Sequence, residues 1–142
     1  MKSVRDIMTT DVACCTSDDT LYEAAVKMKE RNVGSIPVCD NQQNLLGMVT
    51  DRDLVIRGYA GKHAGSTAIK KVMSDHMVSV TPETSVTEAG DLMADKQIRR
   101  LPIVEGGKLV GIVSLGDLSL DQKSNEAAGH ALEEISERPE LH

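Results

Sequence analysis

Leu46-Gly47-Met48-Val49-Thr50-Asp51-Arg52-Asp53-Leu54 is the stretch that decides how this chain folds, because it occurs again as Val110-Gly111-Ile112-Val113-Ser114-Leu115-Gly116-Asp117-Leu118. Each copy reads as an apolar strand holding a glycine, then a hydroxyl residue, then a carboxylate three places on as a helix begins. Unpaired backbone N–H groups at a helix start lie at the positive end of its dipole, so together with a hydroxyl they suit a phosphate. A carboxylate one turn further on suits a ribose diol. The same residues also spell a helix capping box, Thr50-x-x-Asp53 and Ser114-x-x-Asp117. One copy alone reads as a cap; the duplication gives weight to the second reading.

Working outward, residues 4–54 align with residues 69–118, at an offset of 65 up to Asp40 and 64 after one residue drops out of a turn. Identities across the offset include Met8/Met73, Thr16/Thr81, Glu23/Glu88, Met28/Met93, Pro37/Pro102, Gly47/Gly111 and Asp53/Asp117. Each repeat opens with a short helical segment, Val4–Met8 and Ile69–Met73, followed by a brief strand at Val12–Cys15 and Met77–Val80. Leu21, Ala24, Ala25 and Met28 then recur at helical spacing, as do Val86, Ala89, Gly90 and Met93. Strands follow at Ile36–Cys39 and Leu101–Val104, each with a proline that suits a sheet edge. Gly106-Gly107 suits a two-residue hairpin turn into the second copy of the opening motif. A helix closes each repeat, at Asp51–Arg57 and Leu115–Leu120.

The pattern predicts an α+β fold: two pseudo-twofold-related β-α-β-β-α repeats, each with a short preceding helix, packed through their sheets. A repeat of about 50 residues buries too little surface to stand comfortably alone, so the two are expected to form one folding unit. The expected divisions are 1–58 for the first repeat, 59–68 for a flexible linker, 69–120 for the second repeat and 121–142 for an acidic C-terminal tail. In that tail Ala128, Leu132 and Ile135 share one face of a possible helix, and a frayed tail is the equal alternative.

Composition narrows the function. The 142 residues are 40% apolar and 27% charged, the balance of a globular domain, and the formal charge is −6 with a pI of about 5.2. The basic footprint required by nucleic acid is absent. No apolar run approaches the roughly 18 residues of a membrane span, and the N-terminus lacks a signal-peptide core, so a cytoplasmic protein is expected. Cys14, Cys15 and Cys39 have no Cys-x-x-Cys spacing, and His63, His76, His130 and His142 are scattered, which disfavours a metal site. No nucleophile–base set can be assembled, so no enzyme is expected. With no Trp or Phe, a flat ligand must rest on aliphatic side chains and backbone.

The paired halves closely resemble a tandem cystathionine-β-synthase (CBS) domain pair, or Bateman module, of the stand-alone bacterial kind. The resemblance rests on the short helix ending at Met8 or Met73, the strand with Pro37 or Pro102, and the two Gly-h-Val-Thr/Ser-x-x-Asp motifs (h, hydrophobic), over about residues 1–120. It implies two symmetry-related clefts between the repeats that bind adenosine-containing ligands such as AMP, ADP, ATP or S-adenosylmethionine, with no cofactor required. Carried over residue by residue, it implies Thr50, Arg52 and Asp53 in one cleft with Val78, Arg99 and Arg100. Ser114 and Asp117 fall in the other with Met8, Ala13, Gly34 and Ser35. Arg99 and Arg100 have Gly34 and Ser35 as repeat counterparts, and Arg52 has Gly116, so the Asp53 cleft is expected to be the better anion site. Against this, cations at a helix end are favoured with no ligand at all. A homodimer and an unidentified protein target are further expectations. The competing function is a dimerisation or partner-docking scaffold whose clefts stay empty.

Overall fold

In the computed structural model, which describes residues 2–75 and 77–121, the two longest helices begin where the hydroxyl residues place them. Thr20 caps α1 (Leu21–Arg31): its side chain accepts the Glu23 N–H at 3.1 Å, and the Glu23 carboxylate accepts the Thr20 N–H at 3.2 Å. Ser85 caps α2 (Val86–Lys96) through the Glu88 N–H at 3.1 Å. Such caps contribute about 1 kcal/mol each. Leu21, Ala24 and Met28 on α1 and Val86, Ala89, Gly90 and Met93 on α2 bury as expected, whereas Ala25, expected in the α1 stripe, is exposed. Both helices stop at a left-handed residue, Asn32 (φ 54°) and Gln97 (φ 58°).

Strand β1 (Ser35–Cys39) pairs antiparallel with β2 (Leu45–Thr50), with Ser35 opposite Thr50 and Pro37 opposite Met48. A second two-stranded sheet joins β3 (Arg100–Glu105) and β4 (Lys108–Ser114) through Gly106 and Gly107, whose φ values of 60° and 83° suit a tight hairpin turn. The expected strands at Val12–Cys15 and Met77–Val80 shrink to single parallel bridges, Cys15 to Val38 and Val80 to Ile103. The prolines explain this. Cys15 N–H donates to the Pro37 carbonyl at 3.0 Å and Cys39 N–H donates to the Cys15 carbonyl at 2.8 Å. The next rung would need a Pro37 N–H, which does not exist. Pro102 ends the Val80 ladder in the same way, after bonds of 3.1 and 2.8 Å.

The closing helices differ from each other. α3 (Leu115–Leu120) forms as expected, whereas the first repeat ends in a π-helix, Asp53–Tyr59, closed by an Ala60 N–H to Val55 carbonyl bond of 2.8 Å. The linker is not a loose tether. Tyr22 N–H donates to the Gly65 carbonyl at 3.0 Å, Leu21 N–H to Thr67 at 2.9 Å and Ile69 N–H to Asp19 at 2.8 Å. The tail expected from 121 onward lies, apart from Asp121, outside the described residues, as does His76.

The chain divides into two compact units that cut across the repeats. The first comprises the described residues of Met1–Val12, Val78–Gly106 and Val110–His142; the second comprises Ala13–Met77 and Gly107–Leu109. In the first, Val4 is fully buried among Val86, Met93, Leu101, Ile103 and Leu118, and its N–H donates to the Thr84 carbonyl at 2.8 Å. In the second, Ile69 and Val72 are buried with Cys15, Met28, Ile36 and Val49. Each leading helix therefore serves the core of the other repeat, where a buried Val or Ile contributes about 1.5–3 kcal/mol.

Candidate functional site

Within each unit a hairpin end and a helix start meet at a hydroxyl–carboxylate corner. In the second unit the Thr50 hydroxyl accepts the Asp53 N–H at 3.0 Å, and Asp53 Oδ2 accepts the Thr50 N–H at 3.0 Å. In the first, Ser114 accepts the Asp117 N–H at 3.1 Å, and Asp117 Oδ2 accepts the Ser114 N–H at 2.8 Å. Both motifs are thus capping boxes, and the cap leaves chemistry over. Each hydroxyl oxygen accepts while its own hydrogen remains to be donated, and Oδ1 of each carboxylate lies outside the cap. A corner can hold its helix and still offer one donor to a phosphate and one charged acceptor to a diol.

The strands bring the other candidates alongside. Ser35 lies opposite Thr50, and the Gly34 carbonyl accepts the Asp51 N–H at 2.9 Å. The equivalent bond in the first unit, Leu115 N–H to the Arg99 carbonyl, is 3.1 Å. Thr50, Ser35 and Asp53 are half-buried, Gly34 and Arg52 exposed; Ser114, Asp117 and Arg100 are half-buried and Arg99 exposed. The candidates sort by unit as Ala13, Gly34, Ser35, Thr50, Arg52 and Asp53 in one, Met8, Val78, Arg99, Arg100, Ser114 and Asp117 in the other.

Within its own unit each corner has a cation nearby. Arg100 faces Asp117 within its own unit, a neighbour the sequence reading did not give it. Burial pushes the Arg100 pKa down from its ordinary value, and the Asp117 carboxylate opposes that shift. A partly desolvated guanidinium therefore stands at the Asp117 corner. At the Asp53 corner the nearby cation is one the sequence reading missed: Arg57, whose Nε lies 4.0 Å from Asp53 Oδ1 and whose guanidinium donates to the Val72 carbonyl at 3.3 Å. Its i,i+4 spacing from Asp53 was the available signal. The repeat counterpart of Arg57 is Asp121, which pairs instead with Lys2 at 3.1 Å.

The motif glycines also acquire a cause. Ser74 and Met48 exchange backbone hydrogen bonds of 2.9 Å each, which lays the segment after Ile69–Lys71 across β2. A Cβ on Gly47 would overlap the Ser74 carbonyl oxygen. Thr9 and Ile112 make the same exchange at 2.8 and 2.9 Å, and a Cβ on Gly111 would fall 2.6 Å from Met8 Sδ. Met8 is thereby set against the strand that leads into the Ser114–Asp117 corner.

A duplicated α+β repeat with a hydroxyl–carboxylate corner in each unit defines a class of paired domains. The CBS domain profile matches residues 4–58 and 69–120, and the chain belongs to the CBS-domain family as a tandem pair. It is 52% identical to the CBS domain-containing protein YhcV of Bacillus subtilis over 136 residues, covering 96% of each chain. The solved structure of Hypoxic Response Protein I, described with two coordinated zinc ions, superposes with a TM-score of 0.76. It is 36% identical and covers 84% of this chain and 98% of that one; Hypoxic response protein 1 of Mycobacterium tuberculosis is likewise 36% identical over 120 residues, covering 84% of each chain. CBSX2, solved in complex with AMP, superposes with a TM-score of 0.73 at 26% identity, covering 82% of this chain and 93% of that one. CBS pairs are regulatory modules, and one such relative binds AMP. Among the described residues no helix is long and apolar enough to cross a membrane.

Proposed function

We propose that this chain is a non-catalytic sensing module of the cytoplasm that binds an adenosine-containing ligand, AMP, ADP, ATP or S-adenosylmethionine. The observation that carries the reading is the chemistry the two caps leave over: each corner keeps a hydroxyl hydrogen for phosphate and a carboxylate Oδ1 outside the cap for ribose, with Arg57 Nε 4.0 Å from the Asp53 Oδ1. Arg100 supplies a cationic donor beside Asp117, which supports anionic-ligand binding at that corner alongside the expected role of Arg99 and Arg100 toward the Asp53 set. Thr50 and Asp53, with Arg52, Gly34, Ser35 and Ala13 in the same unit, form the second site. Met8 and Val78 contribute apolar contact on the Asp117 side. Ligand binding acts by favouring one conformation, or one association state, over another.

Thermal unfolding with AMP, ADP, ATP, S-adenosylmethionine and adenosine tests the reading. A ligand at 100 times its dissociation constant adds about 2.7 kcal/mol, roughly 9 °C for a chain of this length. No shift with any of them would remove the reading's support, and a shift untouched by Asp53→Asn and Asp117→Asn would displace it from these corners.

The scaffold reading draws on one observation. Val55, Ile56 and Tyr59 on the π-helix are 58%, 51% and 85% exposed, an apolar surface suited to a second copy of the chain or to a protein target. Sedimentation with and without nucleotide separates the two: a constitutive dimer with no ligand response favours the scaffold.

A further inference from the structure

Cys14 and Cys39 are 25 positions apart in sequence, yet their sulfurs lie 3.9 Å apart. The backbone puts them there. The bonds that bridge Cys15 to β1, Cys15 N–H to the Pro37 carbonyl at 3.0 Å and Cys39 N–H to the Cys15 carbonyl at 2.8 Å, draw the Cys14–Cys15 segment along the end of the strand. The parallel bridge sets Cys15 opposite Val38, and alternation along the strand turns Cys14 and Cys39 to the face away from those two side chains. We propose that Cys14 and Cys39 are a reversible dithiol–disulfide pair, oxidised by thiol exchange with small disulfides.

The two sulfurs are not equivalent. Cys14 is half-buried and therefore reachable, whereas Cys39 is only 2% exposed. The Cys39 thiol donates to the Cys14 sulfur, and the Lys27 ammonium, held at 2.6 Å from the Cys14 carbonyl, adds positive charge nearby. Together these lower the Cys14 pKa to about 7 against the opposing effect of burial. The same contact pushes the Cys39 thiol up. Cys15, adjacent in sequence, is 1% exposed, and burial raises its pKa to about 11. Neighbouring cysteines thus divide into an attacking thiolate, a resolving thiol and an inert core residue.

The exchange balances. The Cys14 thiolate attacks one sulfur of a disulfide RSSR, forming Cys14–S–SR and releasing RS⁻. Cys39 gives up its proton and its thiolate attacks Cys14 Sγ, expelling the second RS⁻. Two protein thiols and one RSSR become one protein disulfide and two RSH, with two electrons passed to the small disulfide. Once Cys14 is in the mixed disulfide, the interaction that raised the Cys39 pKa is gone, so the second step is easier than the reduced pair suggests. The sulfurs close from 3.9 Å to the bond length of about 2.05 Å.

The full reduced chain is treated with oxidised glutathione, quenched in acid and examined by intact mass and peptide mapping. The expected result is a loss of about 2 Da, the two thiol hydrogens, with the Cys14 and Cys39 peptides joined and dithiothreitol reversing the change. Cys15→Ala behaves as the native chain. Cys39→Ser stops with one glutathione on Cys14, and Cys14→Ser forms no intramolecular bond. A stable glutathione adduct on Cys14 of the native chain, a bond to Cys15, or no mass change overturns the proposal. The bond mapped in the native chain decides the matter even where a variant fails to fold.

Discussion

Replacing Asp117 by Asn and by Ala separates the two roles of that carboxylate. In the native corner Oδ2 accepts the Ser114 N–H at 2.8 Å, and Oδ1 is the oxygen left for ligand. Asn keeps a carbonyl oxygen in the Oδ2 position and so retains the cap; Ala does not, and losing such a cap costs about 1 kcal/mol. Both variants remove the charge that faces Arg100, so the difference between them isolates the cap. For ligand the order changes. The Asn amide nitrogen is a donor and cannot accept a ribose hydroxyl, and hydrogen bonds to charged groups contribute about 1.5–3 kcal/mol each. Asp117→Asn is therefore expected to unfold in urea within about 0.5 kcal/mol of native once the shared charge effect is subtracted, while its AMP dissociation constant by calorimetry rises roughly 10- to 150-fold. Two results refute this reasoning: Asn and Ala losing equal stability, or Asn binding AMP as tightly as native.

Gly47→Ala, whose Cβ meets the Ser74 carbonyl and threatens the Met48–Ser74 bond pair, should destabilise by about 2–4 kcal/mol in urea unfolding. Gly111→Ala meets first the flexible Met8 sulfur at 2.6 Å and should cost less, about 1–2 kcal/mol; the reverse order would contradict the close approach described for β2. Arg99→Ala combined with Arg100→Ala should weaken AMP more than adenosine in calorimetry, and equal losses would remove the phosphate role. Iodoacetamide labelling of Cys14 should rise as pH passes upward through about 7, because thiolate is the reacting form. Cys39→Ala removes the donor that stabilises that thiolate, so the labelling midpoint should move to higher pH; a midpoint that stays put would show that the sulfur contact has no part in it.

Local patterns carried a large share of this protein. Apolar spacing placed both long helices, and Gly106-Gly107 marked a turn whose positive φ values only small residues accept readily. The capping boxes at Thr50–Asp53 and Ser114–Asp117 were also legible, since a hydroxyl, an N–H and a carboxylate three residues apart interact whatever surrounds them. The short strands were overread. Val12–Cys15 and Met77–Val80 have strand composition, but a strand needs a partner with N–H groups to give, and Pro37 and Pro102 withhold one at the rung that matters.

What the sequence by itself determined was the duplication, the α+β class and the identity of the two corners, because these rest on periodicity and on interactions within a few residues. Only the tertiary structure decided which repeat each leading helix serves, which carboxylate Arg100 faces, and which cysteines meet. Val4 packs among residues of the second repeat and Ile69 among those of the first, although an apolar stripe looks the same whichever core it enters. Arg100 stands by Asp117, and Cys39 by Cys14 rather than Cys15, for the same reason. Burial is non-directional and sequence spacing records only the near neighbours of a residue, so the choice between two similar cores is made by packing in space.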